Sequence, residues 1–174
     1  DDITPIFWAS GACLFVRKTA YKEVDGFDEV FFTHQEEIDL CWRLQSKGGT
    51  IKYIGKSTVY HIGGATLSSY NYKKTFYNFR NSLLMLIKNV GSSKICLLLI
   101  IRLILDGLAG FQFLIQGKWK HCLAIIKAHF SFYRLIPIYL KKRNNNKTQF
   151  KYYHIKSIVW NYFIRKNRTF KELK

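Results

Sequence analysis

Acidic residues are scarce in this chain. Of eleven Asp and Glu among 174 residues, nine fall within residues 1–40, and only Asp106 and Glu172 follow. With 28 Lys and Arg the net charge is +17. An excess of that size draws anions: nucleic acid, acidic lipid or phosphorylated substrates. The front is nearly balanced and the back strongly basic, so two regions with different work are expected. A metal-binding cysteine pattern is also missing. Cys13, Cys41, Cys96 and Cys122 form no C-x-x-C and match no zinc spacing. Three sit in apolar runs, and the cysteines are expected to be reduced core residues in a cytosolic compartment. An initiating Met and a signal peptide are absent before Trp8, so a piece of a longer protein is expected. There is no internal repeat.

Apolar residues are present in the usual proportion, which sets disorder aside as the default. Aromatics are plentiful, with fourteen Phe, eleven Tyr and four Trp. They favour buried clusters or an interface with sugars or lipid headgroups.

Ala12 to Val16 is a short apolar run after Gly11 and predicts a buried strand. Thr19 is placed to cap a short helix over 20–24, stopped by Gly26, and Asp25 to Asp28 reads as a turn. Thr33 and Glu36 have the spacing of a capping box. The helix behind it is expected to run to about Lys47 and stop at Gly48-Gly49. Ile38, Leu40, Cys41, Trp42 and Leu44 share its apolar arc, and Glu36, Asp39 and Arg43 the opposite side, with Asp39 and Arg43 paired at i, i+4. Glu37 falls inside the apolar arc and should face the protein. Short strands are expected at 50–54 and 57–62 around Gly55-Lys56, then a helix over 70–89.

Residues 95–115 are long enough and apolar enough for a spanning helix. Arg102 and Asp106, four apart, interrupt the run, and a charge at mid-membrane is costly. A helix lying in the interface, or a hairpin broken at Gly107 and Gly110, is therefore preferred to a span. Residues 118–143 alternate basic and apolar groups, a basic amphipathic pattern. A charged, Asn-rich linker follows at 141–147, and the end is again basic and aromatic.

Two stretches carry a resemblance. The first is Gly11-Ala12-Cys13-Leu14-Phe15-Val16-Arg17 followed by Val24-Asp25-Gly26-Phe27-Asp28-Glu29-Val30-Phe31-Phe32. The second is Glu36-Glu37-Ile38-Asp39-Leu40-Cys41-Trp42-Arg43 followed by Val59-Tyr60-His61-Ile62-Gly63-Gly64-Ala65-Thr66. This order is similar to the acceptor half of GT-A type, family 2 inverting glycosyltransferases, particularly the rhamnosyltransferase-like ones of bacterial surface polysaccharides. It covers residues 7–90. The implied fold is α/β: the C-terminal, acceptor-side part of a GT-A nucleotide-diphospho-sugar transferase over 1–90, a helical membrane-associating region over 91–143 and a basic tail over 144–174.

The resemblance implies transfer of a sugar from a nucleotide-sugar donor to a saccharide or lipid-linked acceptor, with inversion. Such a reaction needs a base at the acceptor hydroxyl and neutralisation of the leaving group. The family's acidic pair falls on Glu36 and Glu37, and its second member, the usual base, is Glu37, where Asp is common. Burial would raise the pKa of Glu37 and the helix dipole would lower it. Glu36 is the alternative base, although a capping role already accounts for it, and two acids at a helix start also serve the dipole alone. In related enzymes a His at the position of His61 ligates the divalent cation, Mn²⁺ or Mg²⁺, that holds the diphosphate. A strand-end histidine bonded to backbone is the plainer account. Gly11 and Ala12 resemble the small residues lining the sugar pocket. Trp8 suits either a sugar stack or the core, and Arg80 either a phosphate contact or a helix surface.

The family's nucleotide-binding half, with its Asp-x-Asp motif, is not found in this sequence, so the chain alone is expected to show little or no transferase activity. The basic back half suits the inner face of the cytoplasmic membrane, where a peripheral enzyme meets lipid-linked acceptors. No nucleic acid partner is expected. Two rival readings are a basic, aromatic nucleic-acid-binding module, which would show salt-sensitive binding, and a membrane-docking adaptor without catalysis.

Overall fold

The computed structural model describes residues 3–62, 71–91, 95–143, 157–169 and 172. A two-stranded antiparallel sheet opens the chain. Strand β1 (Ile3–Pro5) pairs with β2 (Lys52–Ile54) in the register Ile3 to Ile54, Thr4 to Tyr53 and Pro5 to Lys52. Between them lie α1 (Lys18–Glu23), a 3₁₀ turn over Glu29–Phe31 and α2 (Glu36–Ser46). Then come α3 (Tyr72–Asn89), α4 (Ile95–Ile115), α5 (Trp119–Lys142) and a π-helical turn over Trp160–Ile164.

Two expected strands do not form. Residues 14–17 and 57–62 carry no regular secondary structure and pair in no ladder among the described residues. Leu14 and Val16 still turn inward, onto a cluster of Val24, Leu40 and Leu44, while Phe15 between them is exposed. Cys13 and Cys96 are exposed, contrary to a core role, and Cys41 is buried.

Helix α2 ends as its sequence dictates. Gly48 takes φ +87 and Gly49 N–H reaches back to Leu44 O at 3.0 Å, the reversal that a glycine past the last turn permits. Its start differs from the capping box. The N-cap is Gln35, in the left-handed region at φ 74, with no side-chain cap. Asp39 also departs from the expected polar face, because it is fully buried.

Helix α3 is capped by Asn71, whose side chain accepts from Lys73 N–H at 2.9 Å. Its inner face buries Leu83, Leu84 and Ile87 together with Phe31, Phe132 and Tyr139. Each such side chain is worth ~1.5–3 kcal/mol when fully buried. Helices α3 and α5 run side by side in the same direction: Thr75 meets His121 at one end (2.8 Å), and Arg143 donates to Ile87 O (3.0 Å) and Val90 O (2.7 Å) at the other. One core therefore crosses the boundary expected at residue 90. Helix α4 is continuous through Gly107 and Gly110, with no hairpin break. Arg102 and Asp106 pair at 2.7 Å, and His129 of α5 adds a contact to Asp106 at 3.2 Å.

Candidate active site

Residues of the two motif stretches meet in a buried polar network. Lys88 of α3 donates to Asp28 (2.8 Å) and to Asp39 of α2 (2.9 Å). Asn89 donates to the other oxygen of Asp39 at 2.7 Å, and the expected Arg43 to Asp39 pair forms at 2.8 Å. Arg43 continues to Val24 O and to Gly26 O, the latter at 2.7 Å. Asp28 also receives Lys142 at 3.0 Å and the Tyr139 hydroxyl at 3.3 Å, both from α5. Burial alone would raise the pKa of Asp28, but Lys88 and Lys142 hold it at about 2. Charges out of water must be paired this fully, since a lone one costs several kcal/mol. Turn 25–28, α2, α3 and the end of α5 are thereby fixed to one another.

The same helix α3 shapes the loop ahead of α2. Phe32, His34 and Gln35 all have positive φ (58, 67 and 74), a region that costs non-glycine residues energy. The Asn81 amide holds that conformation. Its Nδ2 lies 2.9 Å from Phe31 O, 2.9 Å from Thr33 O and 2.8 Å from His34 O. Arg80 orients that amide through Asn81 Oδ1 (2.9 Å) and donates to Val30 O (2.5 Å), with its plane near the rings of Phe76 and Tyr77. Arg80 is thus buried against the loop backbone, and its nearest polar partners are protein groups.

What the clamp presents is a cluster of unsatisfied polar atoms. His34 Nε2, Glu36 Oε2 and Glu37 Oε2 are each buried with no hydrogen-bond partner among the described residues. Buried polar atoms are seldom left unpaired, so a ligand or a reacting group is the natural complement. Burial raises the pKa of Glu37. The neighbouring Glu36 adds to that, while the residue's own backbone N–H and His34 oppose it. Burial thus outweighs the helix start. His34 moves the other way: burial and then Lys74 lower its pKa, against the pull of Glu37. Both shifts favour the uncharged forms, so His34 is biased towards neutral imidazole and Glu37 is more basic than an ordinary glutamate, a carboxyl suited to taking a proton from a hydroxyl.

His34 and Lys74 were not singled out in the sequence. The signal available for His34 was its place two residues ahead of the acidic pair. Of the other candidates, Trp8 is largely exposed while its neighbour Phe7 packs edge-on against Trp42 at 5.2 Å. Gly11 and Ala12 lie in an exposed turn. Gly11 borders a cavity of about 370 Å³ with Leu14, Val16, Tyr21 and Leu40, and a Cβ there would meet nothing within 4 Å. His61 is exposed at the edge of the described stretch, and Gly63 to Thr66 lie outside it. Among the described residues no group of three His, Cys, Asp or Glu gathers to hold a metal. The side chains present therefore do not form a coordination shell by themselves.

Comparison with known proteins brings partial relatives. An N-acetylglucosaminyl-diphospho-decaprenol L-rhamnosyltransferase of Mycobacterium tuberculosis is 42% identical over 57 residues, 33% of this chain and 19% of that protein. Rhamnosyltransferase WbbL of Escherichia coli K12 is 37% identical over 51 residues, 29% of this chain and 19% of its own length. A pre-mycofactocin glycosyltransferase of Mycobacterium tuberculosis is 32% identical over 72 residues, 41% of this chain and 15% of its own. The chain thus spans about a fifth or less of the curated relatives it matches. These relatives are glycosyltransferases, and they support a glycosyltransferase class for the chain. No family model matches, and no solved structure does.

Proposed function

We propose that this chain is the acceptor-side part of a GT-A type, family 2 inverting glycosyltransferase of bacterial cell-envelope polysaccharide synthesis. The observation that carries the reading is Glu37, half-buried and raised in pKa in the first turn of α2, whose Oε2 has no hydrogen-bond partner among the described residues just after the clamped loop. Glu37 takes the proton from an acceptor hydroxyl as that oxygen attacks the anomeric carbon of a nucleotide-sugar. The bond to the nucleoside diphosphate breaks on the opposite face, and its electrons leave with the diphosphate. Glu36 supports the site from the preceding position and is the alternative base. Trp8, Gly11 and Ala12 are proposed to contact substrate. Arg80 acts on the substrate site by holding the loop.

The donor's diphosphate needs positive charge. In this reading a divalent cation, Mn²⁺ or Mg²⁺, would supply it, and His61 would be this chain's contribution to holding that ion. The β1–β2 pair would then belong to the α/β sheet of the complete enzyme.

A peripheral position at the inner membrane face fits the helices. Helices α4 and α5 are long and apolar enough to cross a membrane by length and composition. Yet α5 is bound to α3 at both ends and joins the Asp28 network. A span by α5 would drag the candidate active loop into lipid. Lying flat, α4 offers Leu97, Ile101, Ile104, Leu108, Phe111 and Ile115, all exposed and spaced by four and three along one face, to the headgroup boundary. The Arg102 to Asp106 pair is turned against α5.

The test is turnover of the full-length enzyme with a panel of nucleotide-sugars and Mn²⁺. Glu37→Gln should lose ~10²–10⁴-fold or more in kcat while remaining folded. Full activity in that variant would remove the proposed base, and a dead Glu36→Gln beside an active Glu37→Gln would move the role by one residue.

A further inference from the structure

A second cavity, of about 420 Å³, lies between the first turns of α3 and α5. Lys73, Lys120 and Lys127 line it, and no carboxylate does. Tyr72, Phe76, Tyr77 and Trp119 supply its rings, and Leu123 aliphatic carbon. Three lysines with no ion pair among the described residues, lining a cavity with aromatic rings, suit an anion borne on an apolar body. Inorganic phosphate would leave the rings and Leu123 uncovered.

Two neighbours narrow the choice. On one side, Phe113 of α4 stacks on His121 of α5 with centroids 5.0 Å apart, so α4 packs on the same first turn of α5 that gives the cavity Trp119 and Lys120. On the other, the ring of Tyr77 lies 5.5 Å from that of Phe32, in the loop that carries His34 and leads into Glu37. The cavity is therefore flanked by the α4–α5 contact on one side and by the loop ahead of the candidate base on the other.

We propose that this cavity seats the phosphate or diphosphate of a lipid-linked acceptor. The apolar chain follows α4 and α5 towards the membrane, and the sugar passes the Phe32 and Tyr77 rings towards Glu37. The assignment rests on the glycosyltransferase reading and adds to it the place where the acceptor is held.

The experiment measures binding to the full-length enzyme of three probes: farnesyl diphosphate, inorganic pyrophosphate and phosphatidylglycerol vesicles. Lys73→Gln, Lys120→Gln and Lys127→Gln are combined in one variant. Lys22→Gln, Lys47→Gln and Lys52→Gln form a control with the same change of charge. Circular dichroism confirms that both remain folded. Farnesyl diphosphate should bind at least ~10-fold more weakly to the pocket variant, since each charge-assisted bond lost is worth about that factor, and unchanged to the control. It should also bind wild type at least ~10-fold more tightly than pyrophosphate. Equal losses in both variants, or none in the pocket variant, would overturn the site. Pyrophosphate binding as tightly as farnesyl diphosphate would make it a free-anion site. Vesicle capture that needs these lysines, without farnesyl diphosphate binding, would make it a bulk-lipid contact. Glu37→Gln should leave probe binding unchanged, which separates the two ideas. Binding that survives the pocket substitutions sinks the acceptor seat alone. Binding without any sugar transfer by wild type sinks the enzymatic reading.

Discussion

Asn81 Nδ2 lies 2.8 Å from the carbonyl oxygen of His34, across 47 residues of sequence. A side chain in the middle of α3 thereby fixes the backbone of the residue that faces the candidate base, and the same amide reaches Phe31 O and Thr33 O.

Asn81→Ala removes a buried amide and strands its carbonyl partners. Stability should fall by about 2–3 kcal/mol, read as a lower urea midpoint with an unchanged m-value. In the complete enzyme kcat should fall more than donor binding weakens, because the loop is released and the donor half is untouched. A variant of wild-type stability would show that the clamp carries no strain.

The raised pKa of Glu37 gives a sign to two pH effects. The base works when ionised, so kcat/KM should rise with pH along an acid limb lying above the ordinary glutamate value of ~4.3. Stability runs the other way. A folded pKa above the unfolded one means that ionising Glu37 destabilises the fold as pH rises through that interval. Glu37→Gln should therefore be at least as stable as wild type at neutral pH while nearly inactive. Thermal melts beside turnover decide it.

His34 opposes the upward shift of Glu37. His34→Gln removes that pull and should move the acid limb of kcat/KM to higher pH, with Glu36 and Lys74 still facing the site. At a fixed pH on that limb activity should fall, because less of Glu37 is ionised. An unmoved limb would mean that the two side chains are electrically independent.

Asp28, held at about 2, has a folded pKa below its unfolded value. Its contribution is present above pH ~4 and is lost as pH falls through about 2. Acid unfolding followed by circular dichroism should show a loss in that window of about 2 kcal/mol, absent in Asp28→Asn. Lys88→Met leaves both Asp28 and Asp39 without their shared cation and should cost ~3–5 kcal/mol at neutral pH. A cost below 1 kcal/mol would mean that solvent reaches the network.

Local signals read well in the sequence. The C-terminus of α2, the span of α3 and the basic amphipathic α5 all follow from periodicity and glycine placement. Glu37 turned inward, as its position on the helix implied. Asp39 did not sit on the polar face, because Lys88 and Asn89, some 50 residues later, offer it a buried seat that no local pattern announces. The apparent capping box at Thr33 failed for a related reason: Asn81 takes the loop carbonyls and bends His34 and Gln35 into the left-handed region. The buried strand expected at 12–16 did not form: Ala12, Cys13 and Phe15 are exposed, only Leu14 and Val16 turn towards the core, and no ladder partner lies among the described residues. Whether burial or the helix start governs Glu37 depended on packing, which composition does not encode.

The hold of Tyr139 and Lys142 on Asp28 joins the far end of α5 to the turn that precedes the reactive loop. The basic helix is thus a keystone of the fold. Trimming the chain before residue 139 would loosen the candidate active loop while leaving every residue of that loop in place.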